Sequence, residues 1–148
     1  MIEIRRLRSE DIAAVAEIER LCFDEPWSEK SLELLLDEKN AGFVAVIDGQ
    51  VAAYGGIVTV LDEGQITNIA THPDFRRQGL ARGIMRELDR YSSVAGICFL
   101  SLEVREKNVA ARALYSSCGW REVGIRKNFY SRPVDNAVVM TKDFLKGN

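Results

Sequence analysis

In the run Leu102-Glu103-Val104-Arg105 a carboxylate stands among apolar residues near the end of an apolar stretch, Ile97 to Val104. Apolar surroundings disfavour the charged form of a carboxylate and raise its proton affinity, which suits a general base acting directly or through water. Tyr115 follows Asn108 by seven residues, two helical turns, so the two side chains share a helix face. A phenol placed there can act as a general acid. The same residues also fit plainer roles, an ion-paired surface glutamate and a half-buried core aromatic, and spacing alone leaves both open.

A separate stretch bears on anion binding. Residues 66 to 82 read Ile-Thr-Asn-Ile-Ala-Thr-His-Pro-Asp-Phe-Arg-Arg-Gln-Gly-Leu-Ala-Arg, a strand-like run, a Pro turn, a loop with arginines and a glycine, then an amphipathic pattern. A Gly-containing loop at a helix N-terminus gathers unpaired amides and the positive end of the helix dipole, a site for phosphate. No Gly-Lys-Ser/Thr follows, and there is no Gly-x-Gly-x-x-Gly, so the common nucleotide loops are excluded.

The elements that must position these residues follow from patterning. Ile2 to Leu7 alternates as a strand; Ser9 caps a helix carrying Ile12, Val15, Ala16 and Ile18; Ser28 caps a second helix carrying Leu32, Leu35 and Leu36. Between these helices lie Phe23 and Trp27, with core packing the default for Trp27. Phe43 to Ile47 and Val51 to Val60 flank Asp48-Gly49, a hairpin signal. Gln65 to Thr71 makes a third strand, and apolar Ile66 and Ile69, three apart, break its alternation as a β-bulge does. Leu80, Ile84 and Leu88 mark a helix, Ile97 to Val104 a central strand, and Asn108 to Cys118 a helix closed by Gly119. Arg121 to Arg126 and Ala137 to Phe144 complete the order β-α-α-β-β-β-α-β-α-β-β, an α/β fold with one mixed, mostly antiparallel sheet flanked by helices.

The totals bound the function. A chain of 148 residues with 47% hydrophobic content matches a single domain spanning 1–148. Net charge is −2 without a long basic run, which disfavours nucleic acid as a partner. Residues 1 to 38 hold 11 of the 22 acids against 5 of the 20 Lys and Arg, leaving the rest of the chain net basic. Cys22, Cys98 and Cys118 lack a Cys-x-x-Cys spacing, which points to reduced thiols in the cytoplasm and to no metal site. No apolar run approaches the roughly 18 residues of a membrane span, so no membrane association is expected.

The loop Arg76-Arg77-Gln78-Gly79-Leu80-Ala81, taken with this element order, resembles the Gln/Arg-x-x-Gly-x-Gly/Ala loop of the GNAT acetyltransferases along nearly the full chain. The resemblance implies acetyl-CoA as donor. Its pyrophosphate would lie on Arg77, Gln78, Gly79, Leu80, Ala81 and Arg82, its pantetheine arm on the main chain of Ile69, Ala70 and Thr71, and Asn108 would contact coenzyme A. Residues 102 to 120, with Pro26-Trp27-Ser28 and Arg126-Lys127-Asn128-Phe129-Tyr130, resemble the ribosomal-protein-alanine N-acetyltransferase (RimI) branch. That branch implies Glu103 as general base, Tyr115 as general acid, and a peptide site bordered by Trp27 and Tyr130. Its acceptor is the N-terminal peptide of a ribosomal or other basic protein, and the enzyme is expected as a monomer or weak dimer.

An N-terminal α-amine, with a pKa of about 7.7 to 8.0 against ~10.4 for lysine, is far more often a free nucleophile near neutral pH. Lysine or small-molecule amine acetylation on the same fold is the nearest alternative. It is kept because Ser131-Arg132-Pro133-Val134-Asp135-Asn136-Ala137 replaces the branch's longer loop after the tyrosine matching Tyr130. A non-catalytic acyl-CoA-binding module and a Cys-His hydrolase using His72 are weaker readings. The acidic first segment is expected to steer basic peptides toward the site. Basic peptides should therefore be acetylated faster than charge-reversed ones at low salt, and equal rates would contradict the steering.

Overall fold

Strand β1 (Ile2–Arg6) leads through a 3-10 turn at Ser9–Asp11 into helix α1 (Ile12–Cys22) in the computed structural model, which describes residues 1–144. Asp11, not Ser9, organises this start. Its Oδ2 accepts the Arg8 amide at 2.8 Å, and its two oxygens take the Arg5 guanidinium at 2.8 and 3.0 Å. A carboxylate accepting charge-assisted bonds outcompetes a neutral hydroxyl for the same amides. Burial raises the proton affinity of Asp11, but Arg5 and the Arg8 amide outweigh it and hold the carboxyl below its ordinary range.

Helix α2 (Glu29–Leu32) is capped by Ser28, whose Oγ accepts the Ser31 amide at 3.1 Å. It is shorter than its apolar pattern implies and continues as a 3-10 turn over Glu33–Leu36. Strands β2 (Ala41–Ile47) and β3 (Gln50–Val60) form the expected hairpin. Asp48 and Gly49 both take positive φ, 49° and 82°, as a type I′ turn demands. β4 (Glu63–Thr71), α3 (Leu80–Ala95), β5 (Phe99–Arg105), α4 (Val109–Ser117), β6 (Arg121–Ser131) and β7 (Val134–Asp143) complete the order read from the sequence.

The seven strands form one sheet in the order β1-β2-β3-β4-β5-β7-β6, and every neighbouring pair is antiparallel except β4 and β5. Apolar side chains of α1, α2 and the following 3-10 turn, including Val15, Ile18, Leu32 and Leu35, pack with Tyr54 and Ala70. Ile84 and Leu88 of α3 pack with Ile57, Leu100 and Met140 in a second cluster that also holds Tyr115 and Trp120 of the α4 region. Burying each such aliphatic side chain contributes about 1.5–3 kcal/mol. Lys142 of β7 ties the second cluster's rim, reaching Asp89 of α3 at 2.7 Å and the Cys118 carbonyl at 2.6 Å. Among the described residues no helix is long and apolar enough to cross a membrane.

Residues 131 to 137 do not form the loop read from the sequence. β6 runs on to Ser131, β7 begins at Val134, and Tyr130 pairs with Asp135 and Ser131 with Val134. The ladder itself satisfies the backbone there, so the segment is a tight hairpin.

The break in alternation in β4 is a bulge. Ile66 pairs with Ile57 and Ile69 with Gly55, so Thr67 and Asn68 together face Gly56. A Cβ on Gly56 would lie 2.6 Å from Thr67 Oγ1 and 2.7 Å from Leu35 Cδ1, whereas one on Gly124 would meet nothing within 4 Å. Gly56→Ala is therefore expected to cost about 1–3 kcal/mol by overpacking while Gly124→Ala changes stability little. Urea denaturation of the two variants checks this, and equal stabilities would contradict the close packing at the bulge.

Candidate active site

The parallel pair β4 and β5 is joined only over Glu63 to Gln65, opposite Phe99 to Ser101. Beyond these positions β4 follows β3 to Thr71, while β5 follows β7 to Arg105, so the sheet forks. Gln65 sits at the crotch: its Oε1 accepts the Ser101 hydroxyl at 2.8 Å and its Nε2 donates to Glu103 at 3.2 Å. A cavity of about 850 Å³ opens between the diverging strands, walled by residues 65 to 69 of β4 and 102 to 105 of β5. Trp27, from the joint between α1 and α2, and Tyr130 of β6 also line it. Past Gln65 the edge of β4 that faces β5 has no ladder partner, leaving main-chain groups free for an extended ligand.

The fold brings Glu103, Tyr115, Asn108 and Ile69 to this one cavity. The Glu103 side chain is 20% exposed, and its partners are the Gln65 amide and the Arg126 guanidinium, at 3.3 Å. The apolar neighbours that flank it in sequence, Leu102 and Val104, belong to the buried core, because alternate residues of a strand face opposite sides. Asn108 caps α4 through Oδ1, which accepts the Ala111 amide at 3.1 Å. Tyr115 is buried on the same helix, with its ring 6.4 Å from that of Trp120. Burial, reinforced by Tyr130 and Cys118, pushes its pKa up to about 12, so the phenol keeps its proton throughout the neutral range. A carboxylate and a protonated phenol lining one cavity can take up and release protons on a single bound substrate.

Arg77, Gln78, Gly79, Leu80, Ala81 and Arg82 lie outside the cavity lining, at the start of α3. Gly79 is the N-cap of that helix with φ of 74°, and it offers the first-turn amides no side-chain acceptor. A Cβ built on it meets nothing within 4 Å, so the space beside it is open. First-turn amides without a side-chain cap are groups that could hold a phosphate. Arg82 reaches across to α4, donating to Ser117 Oγ at 2.9 Å. Ala70 turns its side chain into the core, and the Thr71 carbonyl already accepts from Arg76 Nε and the Cys22 thiol, both at 3.3 Å. Of the three β4 residues, only Ile69 lines the cavity.

Residues 12–120 match the acetyltransferase (GNAT) family. The chain belongs to the GNAT acetyltransferase family. Similar to it are the ribosomal protein bS18-alanine N-acetyltransferases of Escherichia coli strain K12, 39% identical over 130 residues and 88% of each chain, and of Salmonella typhimurium strain LT2. The latter is 37% identical over 142 residues, 95% of this chain and 96% of that one. The crystal structure of the ribosomal-protein-S18-alanine N-acetyltransferase from Escherichia coli superposes with a TM-score of 0.90 at 36% identity, covering 100% of this chain and 98% of that one. Within this GNAT fold His72 serves its own turn, its Nδ1 accepting the Asp74 amide at 3.1 Å, and the hydrolase reading has no support.

Sequence reasoning missed Glu19. Its side chain is fully buried, accepting the Trp27 amide at 2.7 Å, Asn68 Nδ2 at 2.9 Å and the Tyr54 hydroxyl. It thereby ties the α1 end to both a cavity wall and the bulge. A signal was present, since Glu19 lies four residues after Val15 on the apolar stripe of α1, where a charged residue needs partners. Burial, with Glu19 beside it, raises the Tyr54 pKa beyond the ordinary phenol range.

Because the folded chain raises the Tyr115 pKa above its unfolded value, it favours the protonated phenol. That contribution is whole below about pH 10 and is lost as pH rises toward about 12. Relative to Tyr115→Phe, the unaltered chain is expected to lose roughly 2–3 kcal/mol of stability across that window. Urea unfolding of both proteins through this range tests it, and parallel curves would show that Tyr115 is not shifted.

Proposed function

We propose that this chain transfers an acetyl group from acetyl-coenzyme A to the α-amine of a protein N-terminus, with the N-terminal alanine of ribosomal protein bS18 as acceptor. What supports the reaction is that Glu103 and the protonated Tyr115 line one cavity at the β4–β5 fork. The acceptor is supported by the bS18-alanine N-acetyltransferases that match nearly the whole chain. The protein is read as cytoplasmic, acting on a basic protein partner.

Acetyl-coenzyme A supplies the acetyl group as a thioester, whose cleavage leaves a thiolate. Its pyrophosphate is held by the open amides after Gly79, with Arg77 and Arg82 supplying positive charge, and its arm lies along the free edge of β4 at Ile69. Glu103 takes a proton from the acceptor amine, directly or through water, so that the nitrogen lone pair can form the new N–C bond. Tyr115 gives its hydroxyl proton to the sulfur as the C–S bond breaks. Asn108, holding the start of α4, keeps Tyr115 in line with the fork. Trp27 and Tyr130 border the acceptor peptide. Arg126 and Gln65 orient the Glu103 carboxylate toward the cavity.

Glu103→Gln and Tyr115→Phe should each lower kcat about a hundredfold or more while leaving acetyl-coenzyme A affinity nearly unchanged by calorimetry. Loss of donor binding in either variant would make that residue structural. A bulky residue at Gly79 should raise the Michaelis constant for the donor, and an unchanged value would contradict the loop assignment. The acceptor class is decided by thiol release and product masses over free-N-terminus peptides, N-blocked lysine peptides and polyamines. Preference for the lysine peptides would overturn it.

A further inference from the structure

Arg105 lies two residues beyond Glu103 on β5, at the cavity, and neither the proton transfers nor donor binding uses it. Its guanidinium engages the β6–β7 hairpin through both terminal nitrogens. Nη1 donates to the Pro133 carbonyl at 2.8 Å, Nη2 donates to the Arg132 carbonyl at 2.9 Å, and Cζ stands 4.3 Å from the centre of the Tyr130 ring. A planar fork with parallel donors and an aromatic-stacking face is what arginine offers and lysine does not.

The hairpin needs such a clamp. The β6–β7 ladder is irregular between Arg126 and Tyr130, with Asn128 at φ 54°, so residues 127 to 129 fall outside the register before pairing resumes at Tyr130, and Phe129 and Tyr130 line the cavity. The irregular segment is anchored separately: Asn136 Oδ1 accepts the Asn128 amide at 2.9 Å, and its Nδ2 donates to Glu106 at 3.0 Å. Among the described residues, Arg105 alone takes the two carbonyls of the turn at the tip. Across the cavity mouth the Ser131 hydroxyl, beside the tip, donates to Glu25 at 3.3 Å.

We infer that Arg105 is a positioning residue for the acceptor: it holds the hairpin tip and the Tyr130 ring as one wall of the cavity, and so sets how tightly the acceptor chain is held. The inference rests on the reading that the Tyr130 end of the cavity receives the acceptor. It gives this chain's short hairpin a rigid wall, built by one guanidinium reaching from the strand that carries Glu103.

The test is steady-state kinetics of the full chain, Arg105→Ala and Arg105→Lys, varying acetyl-coenzyme A and acceptor separately, with melting curves for each protein. The acceptor is whichever the unaltered chain uses, an alanine-initiated peptide or an N-blocked lysine peptide. Failure of the acceptor class therefore shows as that preference and stays distinct from failure of the clamp. Arg105→Ala is expected to raise the acceptor KM about tenfold, the size of losing hydrogen bonds to a charged group, with the donor KM and melting temperature unchanged. Arg105→Lys should recover only part of the loss. In a Tyr130→Ala background the Arg105→Ala effect on acceptor KM should vanish, because the clamp acts through that ring. An unchanged acceptor KM, a parallel rise of both KM values with a lowered melting temperature, or full additivity with Tyr130→Ala would each overturn the inference.

Discussion

The parallel contact between β4 and β5 lasts only from Glu63 to Gln65 against Phe99 to Ser101, and the rest of the molecule is arranged around its early end. Each strand has a stronger commitment on its other side, β4 to β3 and β5 to β7, and the two partners lead in diverging directions. Strand separation in most sheets exposes main-chain groups at an outer edge. Here it exposes them inside the sheet, with a helix-capping loop at one end and a carboxylate strand along the other wall. Closing the fork would satisfy the backbone and abolish the cavity.

Two devices keep it open. The bulge at Thr67 and Asn68 bends β4 while it remains paired with β3, and Gly56 supplies the room opposite. Buried Glu19 then takes the Asn68 side chain, the Trp27 amide and the Tyr54 hydroxyl together. A buried carboxylate is tolerated only when its lone pairs are filled, and these three donors come from three separate segments. The same bonds therefore satisfy the charge and fix the bulge relative to the joint between α1 and α2. A polar network of this kind is costly to disturb at any single member, which suits a site whose two walls must keep their spacing.

The far wall depends on the hairpin. Its departure from the family's usual longer loop reads, from sequence, as a change in a covering loop. In the fold it is a continuation of β6 and β7, with Arg105 bonded to the turn carbonyls and stacked on Tyr130. With Ser131 paired to Val134, Arg132 and Pro133 are left outside the ladder, and Arg105 takes both of their carbonyls.

Much of this was legible in order. The hairpin at Asp48-Gly49, the cap at Ser28, the element order and the bulge between Ile66 and Ile69 all follow from local rules, since turn chemistry, capping and side-chain period act within a few residues. The loop before α3 and the placing of Glu103 on a strand and Tyr115 on the following helix were legible for the same reason. Whether Glu103 is surrounded by apolar groups was not: its neighbours in sequence face the other side of the sheet, and its actual partners, Gln65 and Arg126, come from strands 38 and 23 residues away. Glu19, Arg105 and the fork itself belong to the same class. Their roles consist of contacts between distant segments, and a chain read in one dimension holds no record of which strand lies beside which. The residues and most of their local conformations were set by the sequence alone; their convergence on one cavity was decided by sheet order, which places β7 between β5 and β6 and leaves β4 and β5 free to part.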